Sequence, residues 1–107
     1  MDIEIFEIDV EKLMRMSMLH VNFVLLDVRQ KGSFEKAHIR NAFNIEATNL
    51  LEEVSKKFPS KDIPIVIYDE DGTTSIQLCT DLEKAGFLNV VGLAGGFKAY
   101  LAQQKNS

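Results

Sequence analysis

The stretch PIVIYDEDGTTSIQ, Pro64 to Gln77, joins an apolar run to an acidic turn and then to residues with helical spacing. The apolar run predicts a strand that opens with a proline, at a position where no backbone donor is needed. We predict a helix from about Thr74 to Ala85, ending at Gly86, because glycine favours helix C-termini. The stretch therefore predicts a strand, a tight loop and a helix in direct succession.

Four further segments have the composition of strands. The segment FVLLDV, Phe23 to Val28, consists of β-forming residues that are apolar on both faces, as expected of a central parallel strand. Shorter strands are predicted at EIFEI near residue 5, at AFNI from Ala42 and at NVVGL over residues 89–93. With the strand before the acidic turn, the chain has five predicted strands.

Helical segments separate these strands. They are VEKLMRMSML from Val10, a turn around Ser33 to Lys36, ATNLLEEVSKKF from Ala47, and GGFKAYLAQQK from Gly95. In the third segment the spacing predicts one apolar stripe made of Leu50, Leu51, Val54 and Phe58. Alternating strands and helices predict a single three-layer α/β domain, with a mostly parallel five-stranded sheet and helices on both faces.

Length and composition restrict the function classes. A chain of 107 residues predicts one domain, residues 1–107, and its formal charge of −4 disfavours nucleic acids and anionic membranes as partners. We expect no secretion signal and no membrane span, since the chain shows neither a basic start nor a long apolar run. Cys79 is the only cysteine, so no internal disulfide can form, and a cytoplasmic location is expected.

The acidic turn resembles the first motif of haloacid-dehalogenase-type phosphotransferases. That resemblance implies that Asp69 is a nucleophile and that Asp71 helps to hold a divalent metal. Such a reaction also needs a later hydroxyl, a lysine and another acidic residue. About 35 residues follow the motif. Their acidic residues Asp81 and Glu83 and the lysine Lys84 all lie in the one helix that follows the loop. We keep this class of enzyme as the alternative.

A second resemblance covers nearly the whole chain. The segment LLDVRQKGSFEKAHIRNAFNI resembles the first half of the rhodanese pattern, and residues 64–100 resemble its second half. The matching positions are Asp27, Val28, Arg29, Phe34, Glu35, His38, Ile39, Ala42, Asn44, Ile45, Tyr68, Gly72, Ser75, Leu82, Gly86, Phe87, Val90, Leu93, Gly95, Gly96 and Tyr100. The resemblance implies a parallel sheet with strand order 3-2-4-5-1. It also implies that Asp27, Arg29 and Ser75 support the loop.

The sequence departs from this pattern at the loop that carries the family's chemistry. In active members the first loop residue is a cysteine that carries sulfur as a persulfide, and Asp69 stands at that position here. Thr74 stands where an arginine is usual, and two further acidic residues follow Asp69. Outside the loop, Arg40 and Asn41 replace a Pro-Gly pair. The resemblance thus implies a degenerate loop without catalytic residues, made of Asp69, Glu70, Asp71, Gly72, Thr73 and Thr74.

The chemistry of sulfur transfer explains why an aspartate would end it. The reaction needs a thiolate, and a carboxylate forms no stable persulfide equivalent. The loop normally converges backbone N–H groups on an anion at a helix N-terminus. We therefore predict that Asp69 folds into this position and takes the amides itself. The alternative is a solvated Asp69, with Thr73 or Thr74 capping the helix.

The remaining candidates have structural explanations. Cys79 falls on the apolar stripe of its helix and is predicted to be an inert buried thiol. His38 is expected to satisfy backbone groups, and His20 to lie in a turn. No metal-ligand spacing is present, and we expect no cofactor. The sequence therefore predicts a noncatalytic binding or regulatory module with a protein partner. Besides the phosphotransfer alternative, the chain could be one module of a larger sulfur-transfer system.

Overall fold

The computed structural model describes residues 7–105, which form one parallel sheet between two layers of helices. The strands are β1 (Glu7–Ile8), β2 (Val24–Asp27), β3 (Phe43–Asn44), β4 (Ile65–Tyr68) and β5 (Val90–Leu93). The helices are α1 (Val10–Met18), α2 (Lys31–Lys36), α3 (Leu50–Lys57), α4 (Ser75–Lys84) and α5 (Gly96–Lys105), with a 3-10 turn at Ala47–Asn49 before α3.

The sheet has the order β1-β5-β4-β2-β3, and all four strand pairs are parallel. This confirms the predicted order. All four residues of β2 and of β4 are buried, as their apolar composition on both faces requires. Their register places Asp27 opposite Tyr68, at the last position of both strands. Because the strands are parallel, their carboxyl ends meet at one edge of the sheet.

Two apolar clusters cover the two faces of the sheet, since successive strand residues point to opposite sides. The cluster under α3 and α4 contains Val24, Leu26, Val28, Ile45, Leu50, Val54, Ile65, Ile67, Leu78, Cys79, Leu82, Phe87 and Val90. The cluster under α1 and α5 contains Ile8, Val10, Leu13, Leu25, Ile39, Val66, Tyr68, Leu93 and Phe97. The helices therefore lie on both faces, as predicted.

The structure differs from the predicted elements in α3 and describes only part of the first strand. Leu51 was expected in the buried stripe of α3, but it is 47% exposed, whereas Leu50 and Val54 are buried. Leu51 lies about 100° around the helix from Leu50, at the edge of the buried face. The segment from Ala47 begins as a 3-10 turn rather than as an α-helix. The strand predicted near residue 5 is described only at its end, because residues 4–6 lie outside the described residues.

The predicted helix ends agree with the structure. His20 follows α1 with φ +56°, and Gly86 follows α4 with φ +99°. The Gly86 N–H donates to the carbonyl of Glu83 at 2.9 Å, which closes the end of α4. Within residues 7–105, the helices are all too short or too polar to cross a bilayer.

Candidate functional site

The loop of residues 69–74 connects β4 to α4 at the carboxyl edge of the sheet, where open parallel sheets place their binding sites. Asp69, only 7% exposed, turns its carboxylate back into this loop. Its Oδ1 accepts from the N–H of Gly72 at 2.7 Å, and its Oδ2 accepts from the N–H of Thr74 at 2.7 Å. Thr74 makes no side-chain cap. The structure thus has Asp69 folded into the loop rather than solvated.

The shape of this loop is fixed by close contact with the start of α5. A Cβ atom on Gly96 would lie 2.7 Å from the carbonyl oxygen of Asp69, and one on Gly72 would lie 2.8 Å from the nitrogen of Gly95. The N–H groups of Phe97 and Lys98 donate to the carbonyls of Asp69 and Glu70, each at 2.9 Å. The first turn of α5 therefore binds the backbone of the loop directly.

Asp27 and Arg29 form an ion pair beside this loop, with little exposure of either side chain. The Nη2 of Arg29 lies 2.7 Å from Oδ2 of Asp27, and the Nε lies 3.1 Å from both carboxylate oxygens. The same Nη2 donates to the carbonyl of Ala37 at 2.6 Å. The pair joins the end of β2 to the segment after α2. Its role as a support of the loop stays a prediction.

Arg29 also reaches the acidic loop. Its Nη1 lies 3.4 Å from Oε1 of Glu70, and its guanidinium carbon lies 4.1 Å from the centre of the Phe97 ring. Burial lowers the pKa of Arg29, but a hydrogen bond and Coulombic attraction from Asp27, together with a hydrogen bond to Glu70, outweigh burial and raise it. Glu70 is thus partly neutralised.

Asp71 retains its full charge at the mouth of the loop. Hydrogen bonds from the side chain and then the backbone of Thr73 lower the pKa of Asp71, and the Thr73 Oγ1 lies 2.7 Å from Oδ1. Asp71 is exposed, whereas Ser75 at the start of α4 is fully buried. The Ser75 Oγ has no hydrogen-bond partner among the described residues, so any support that it gives the loop comes from packing.

Tyr68 and Asn44 complete the site, and their roles were not foreseen beyond their match to the family pattern. The Tyr68 hydroxyl accepts from the Ile39 N–H at 3.1 Å, and burial and a hydrogen bond with Asp27 raise the pKa of Tyr68. The Nδ2 of Asn44 donates to the carbonyls of Asp27 and Arg29 at 2.9 and 3.0 Å. The position of Asn44 at a strand end could have indicated its place in the site, because Asn44 ends β3 directly opposite Asp27.

Cys79 and His38 lie where the sequence predicted. Cys79 is completely buried in the core under α4. Burial, with smaller contributions from Glu83 and Glu7, raises the pKa of the Cys79 thiol to about 12. The Nδ1 of His38 lies 2.8 Å from the carbonyl oxygen of Phe34, and the two rings stack at 3.8 Å. Both residues therefore have structural contacts that account for them.

The phosphotransfer alternative requires a metal beside Asp69 and Asp71. Both oxygens of Asp69 already accept backbone N–H groups, and one oxygen of Asp71 accepts from Thr73. No group of three or more His, Cys, Asp or Glu side chains within residues 7–105 is arranged to hold a metal ion. The geometry gives that alternative no support.

The fold and the site can be compared with known proteins. Residues 9–103 match the family described as "Rhodanese-like domain". The chain belongs to the rhodanese-like family. Thiosulfate sulfurtransferase GlpE of Coxiella burnetii is 34% identical over 86 residues, which cover 80% of this chain and 78% of that protein. Centrosomal protein of 41 kDa B of Xenopus laevis is 34% identical over 84 residues, which cover 71% of this chain but only 23% of that protein.

Solved structures of rhodanese-like domains have the same architecture. The solution structure of the rhodanese-like domain of the Alr3790 protein from Anabaena sp. superposes with a TM-score of 0.85 and 26% identity, covering 94% of this chain and 76% of that one. Of the two curated relatives, one is named for sulfur transfer and the other for the centrosome. Membership of the rhodanese-like family is thus compatible with either sulfur-transfer-related or binding roles. The function therefore has to be inferred from the residues of the site.

Proposed function

We propose that this rhodanese-like domain has no sulfurtransferase activity and acts as a noncatalytic binding or regulatory module. In active members a cysteine at the start of the loop carries the transferred sulfur, and we place Asp69 at that position. One observation carries the proposal: the Asp69 carboxylate accepts the N–H groups of Gly72 and Thr74, both at 2.7 Å. The amides that would bind an anionic sulfur donor are engaged by the chain itself.

Two separate losses follow from this arrangement. A carboxylate cannot hold sulfur as a persulfide, because the transfer requires a nucleophilic thiolate. An anionic donor would also have to displace the carboxylate from its two amides. If that displacement costs about 3 kcal/mol, the magnitude of one or two charge-assisted hydrogen bonds, binding falls by about 100-fold.

Cys79 offers no replacement for the missing nucleophile. Burial raises the pKa of its thiol to about 12, so the reactive thiolate is strongly disfavoured at pH 7. The side chain is also fully buried in the core, where a sulfur donor has no access to it. Sulfur transfer through this residue would require the domain to open.

The test is thiocyanate formation from cyanide, with thiosulfate or mercaptopyruvate as the donor. We expect no more product from the native protein than from a heat-denatured sample. Asp69→Ala and Cys79→Ser are measured in parallel to identify the source of any activity. Product above the denatured control that disappears in either variant would contradict the proposal and name the residue responsible.

A further inference from the structure

A groove on the α1 and α5 side of the domain is not used by the loop site. It consists of two adjoining cavities, each of about 300 Å³, which share Ser17, Arg40 and Asn41 in their walls. The apolar part of the first cavity is formed by Leu13, Met14, Ile39 and Tyr100. The groove thus combines an apolar floor with a polar middle section.

Arg40 gives this groove a positive charge. Its side chain is exposed and makes no hydrogen bond or ion pair with any residue in the range 7–105. Among residues 7–105, no acidic side chain lines either cavity, although the whole chain has a net charge of −4. The groove is therefore a locally basic site on an acidic protein.

Two residues with positive φ lie in the wall of this groove. His20 and Asn41, with φ of +56° and +71°, are the two non-glycine residues with positive φ in the described chain, and both line the second cavity. Asparagine and histidine are among the non-glycine residues that adopt positive φ most often. His20 follows the end of α1 and Asn41 lies in the turn before β3, so the two turns shape the wall of the second cavity.

The rim of the groove can adapt to an apolar ligand. Met18, which is 75% exposed, lines the first cavity together with Met14. Methionine side chains are flexible and polarizable, and they fit apolar partners of varied shape. A partner that covers this rim would also remove exposed apolar surface from water.

We propose that this groove binds a short segment of a partner protein that combines apolar side chains with an acidic residue. The acidic side chain pairs with the exposed guanidinium of Arg40, as carboxylates do with arginine, and the apolar side chains occupy the floor and the methionine rim. The choice of occupant rests on charge complementarity. The inference goes beyond the proposed function and does not depend on Asp69, so either can fail while the other stands.

A matched control lies on the opposite face of the sheet. There a cavity of about 340 Å³ between the 3-10 turn, α3 and α4 is lined by Leu51, Leu82, Asp81 and Lys84, among others. It carries both an acidic and a basic residue, so charge gives it no preference for an acidic ligand. Lys84→Glu therefore makes the same charge change as Arg40→Glu at a cavity that is not expected to bind the segment.

The experiment uses a displayed library of short random peptides selected on the intact protein. Enriched peptides are synthesised with a fluorescent label, and their affinities are measured by anisotropy for the wild type, Arg40→Glu and Lys84→Glu. We expect the enriched peptides to contain Asp or Glu among apolar residues. Their affinity should fall at least about tenfold in Arg40→Glu and change less than about twofold in Lys84→Glu. Circular dichroism and urea unfolding check that both variants are folded.

Several results would overturn the proposal. Failure to enrich any peptide would do so, as would enriched peptides without acidic residues or with equal affinity for Arg40→Glu. Sedimentation of the protein alone provides the remaining outcome. If the chain forms a dimer that Arg40→Glu dissociates, the groove is occupied by a second copy of the chain and the proposed ligand is wrong.

Discussion

The substitution Asp69→Asn tests the central contact of the loop. The asparagine side chain has the same shape but only one acceptor oxygen, and its other terminal group is an N–H donor. In the wild type the two carboxylate oxygens face the N–H groups of Gly72 and Thr74, each at 2.7 Å. The variant therefore leaves one of these donors facing another donor.

The structure sets the expected size of this effect. One charge-assisted hydrogen bond, worth about 1.5–3 kcal/mol, is lost, and the other loses the charge of its acceptor. Asp69 is only 7% exposed, so water compensates little. We expect the free energy of unfolding to fall by about 3 kcal/mol. For a domain of this size, that corresponds to a decrease in Tm of about 12–24 °C.

The assay is urea unfolding followed by circular dichroism, with the slope m used to confirm that the unfolded states are comparable. Asp71→Asn is the matched control, because it makes the same chemical change at an exposed side chain of the same loop. Its midpoint should shift much less than that of Asp69→Asn. Asp69→Ala, which frees both amides, should also gain more stability from sulfate than the wild type does, compared with chloride at equal ionic strength.

Two results would refute this reasoning. Equal midpoints for Asp69→Asn and Asp71→Asn would mean that the buried hydrogen bonds of Asp69 contribute no net stability. An identical response of Asp69→Ala and the wild type to sulfate would mean that the freed amides do not form an anion site. In either case the claim that Asp69 occupies a binding site would have to be withdrawn.

The other predictions concern the thiol, the nucleophile and the packing of the loop. Cys79 should react with iodoacetamide only after unfolding. Its buried thiol should also contribute stability that is present below about pH 9 and lost toward pH 12. Urea unfolding of Cys79→Ala at alkaline pH should lack this loss of stability. Asp69→Cys alone should form no thiocyanate, because acidic neighbours disfavour the thiolate and Thr74 supplies no cation; activity in this single variant would contradict the electrostatic argument. Gly96→Ala should lower the unfolding midpoint strongly, because the new Cβ would lie 2.7 Å from a loop carbonyl oxygen and Gly96 has φ +61°. Gly32→Ala should not, because a Cβ there meets no atom within 4 Å.

The sequence predicted the elements better than the contacts between them. The apolar runs of β2 and β4 could be recognised as central strands because burial on both faces leaves no alternation. The rule that sites lie beyond the carboxyl ends of parallel strands placed Asp27 and Asp69 at one edge. The order of the strands, however, came from the resemblance to a family, since local periodicity contains no information on which strands pair.

Two kinds of interaction could not be predicted from the sequence: contacts between residues far apart in the chain, and the burial of side chains at the edge of a helix's apolar face. Arg29 and Glu70 are 41 positions apart, and only the folded backbone brings them to 3.4 Å. Leu51 was misplaced because a helical position at the edge of an apolar stripe can face either way, and tertiary packing decides. The folding of Asp69 into the loop was one of two open alternatives. Composition could not choose between them, because both place the same carboxylate on the same loop.

The contact between the loop and α5 has a consequence for what this domain can be made to hold. Besides the Asp69 carboxylate, backbone contacts hold the loop: α5 donates two N–H groups to its carbonyls, and Gly72 and Gly96 allow the close approach. The side chains of Thr73 and Thr74 are exposed and take no part in that contact. Changes to these two side chains should therefore leave the contact between the loop and α5 intact. New residues placed between Asp69 and Thr74 should also keep the same curvature, provided that Asp69 and Gly72 are retained.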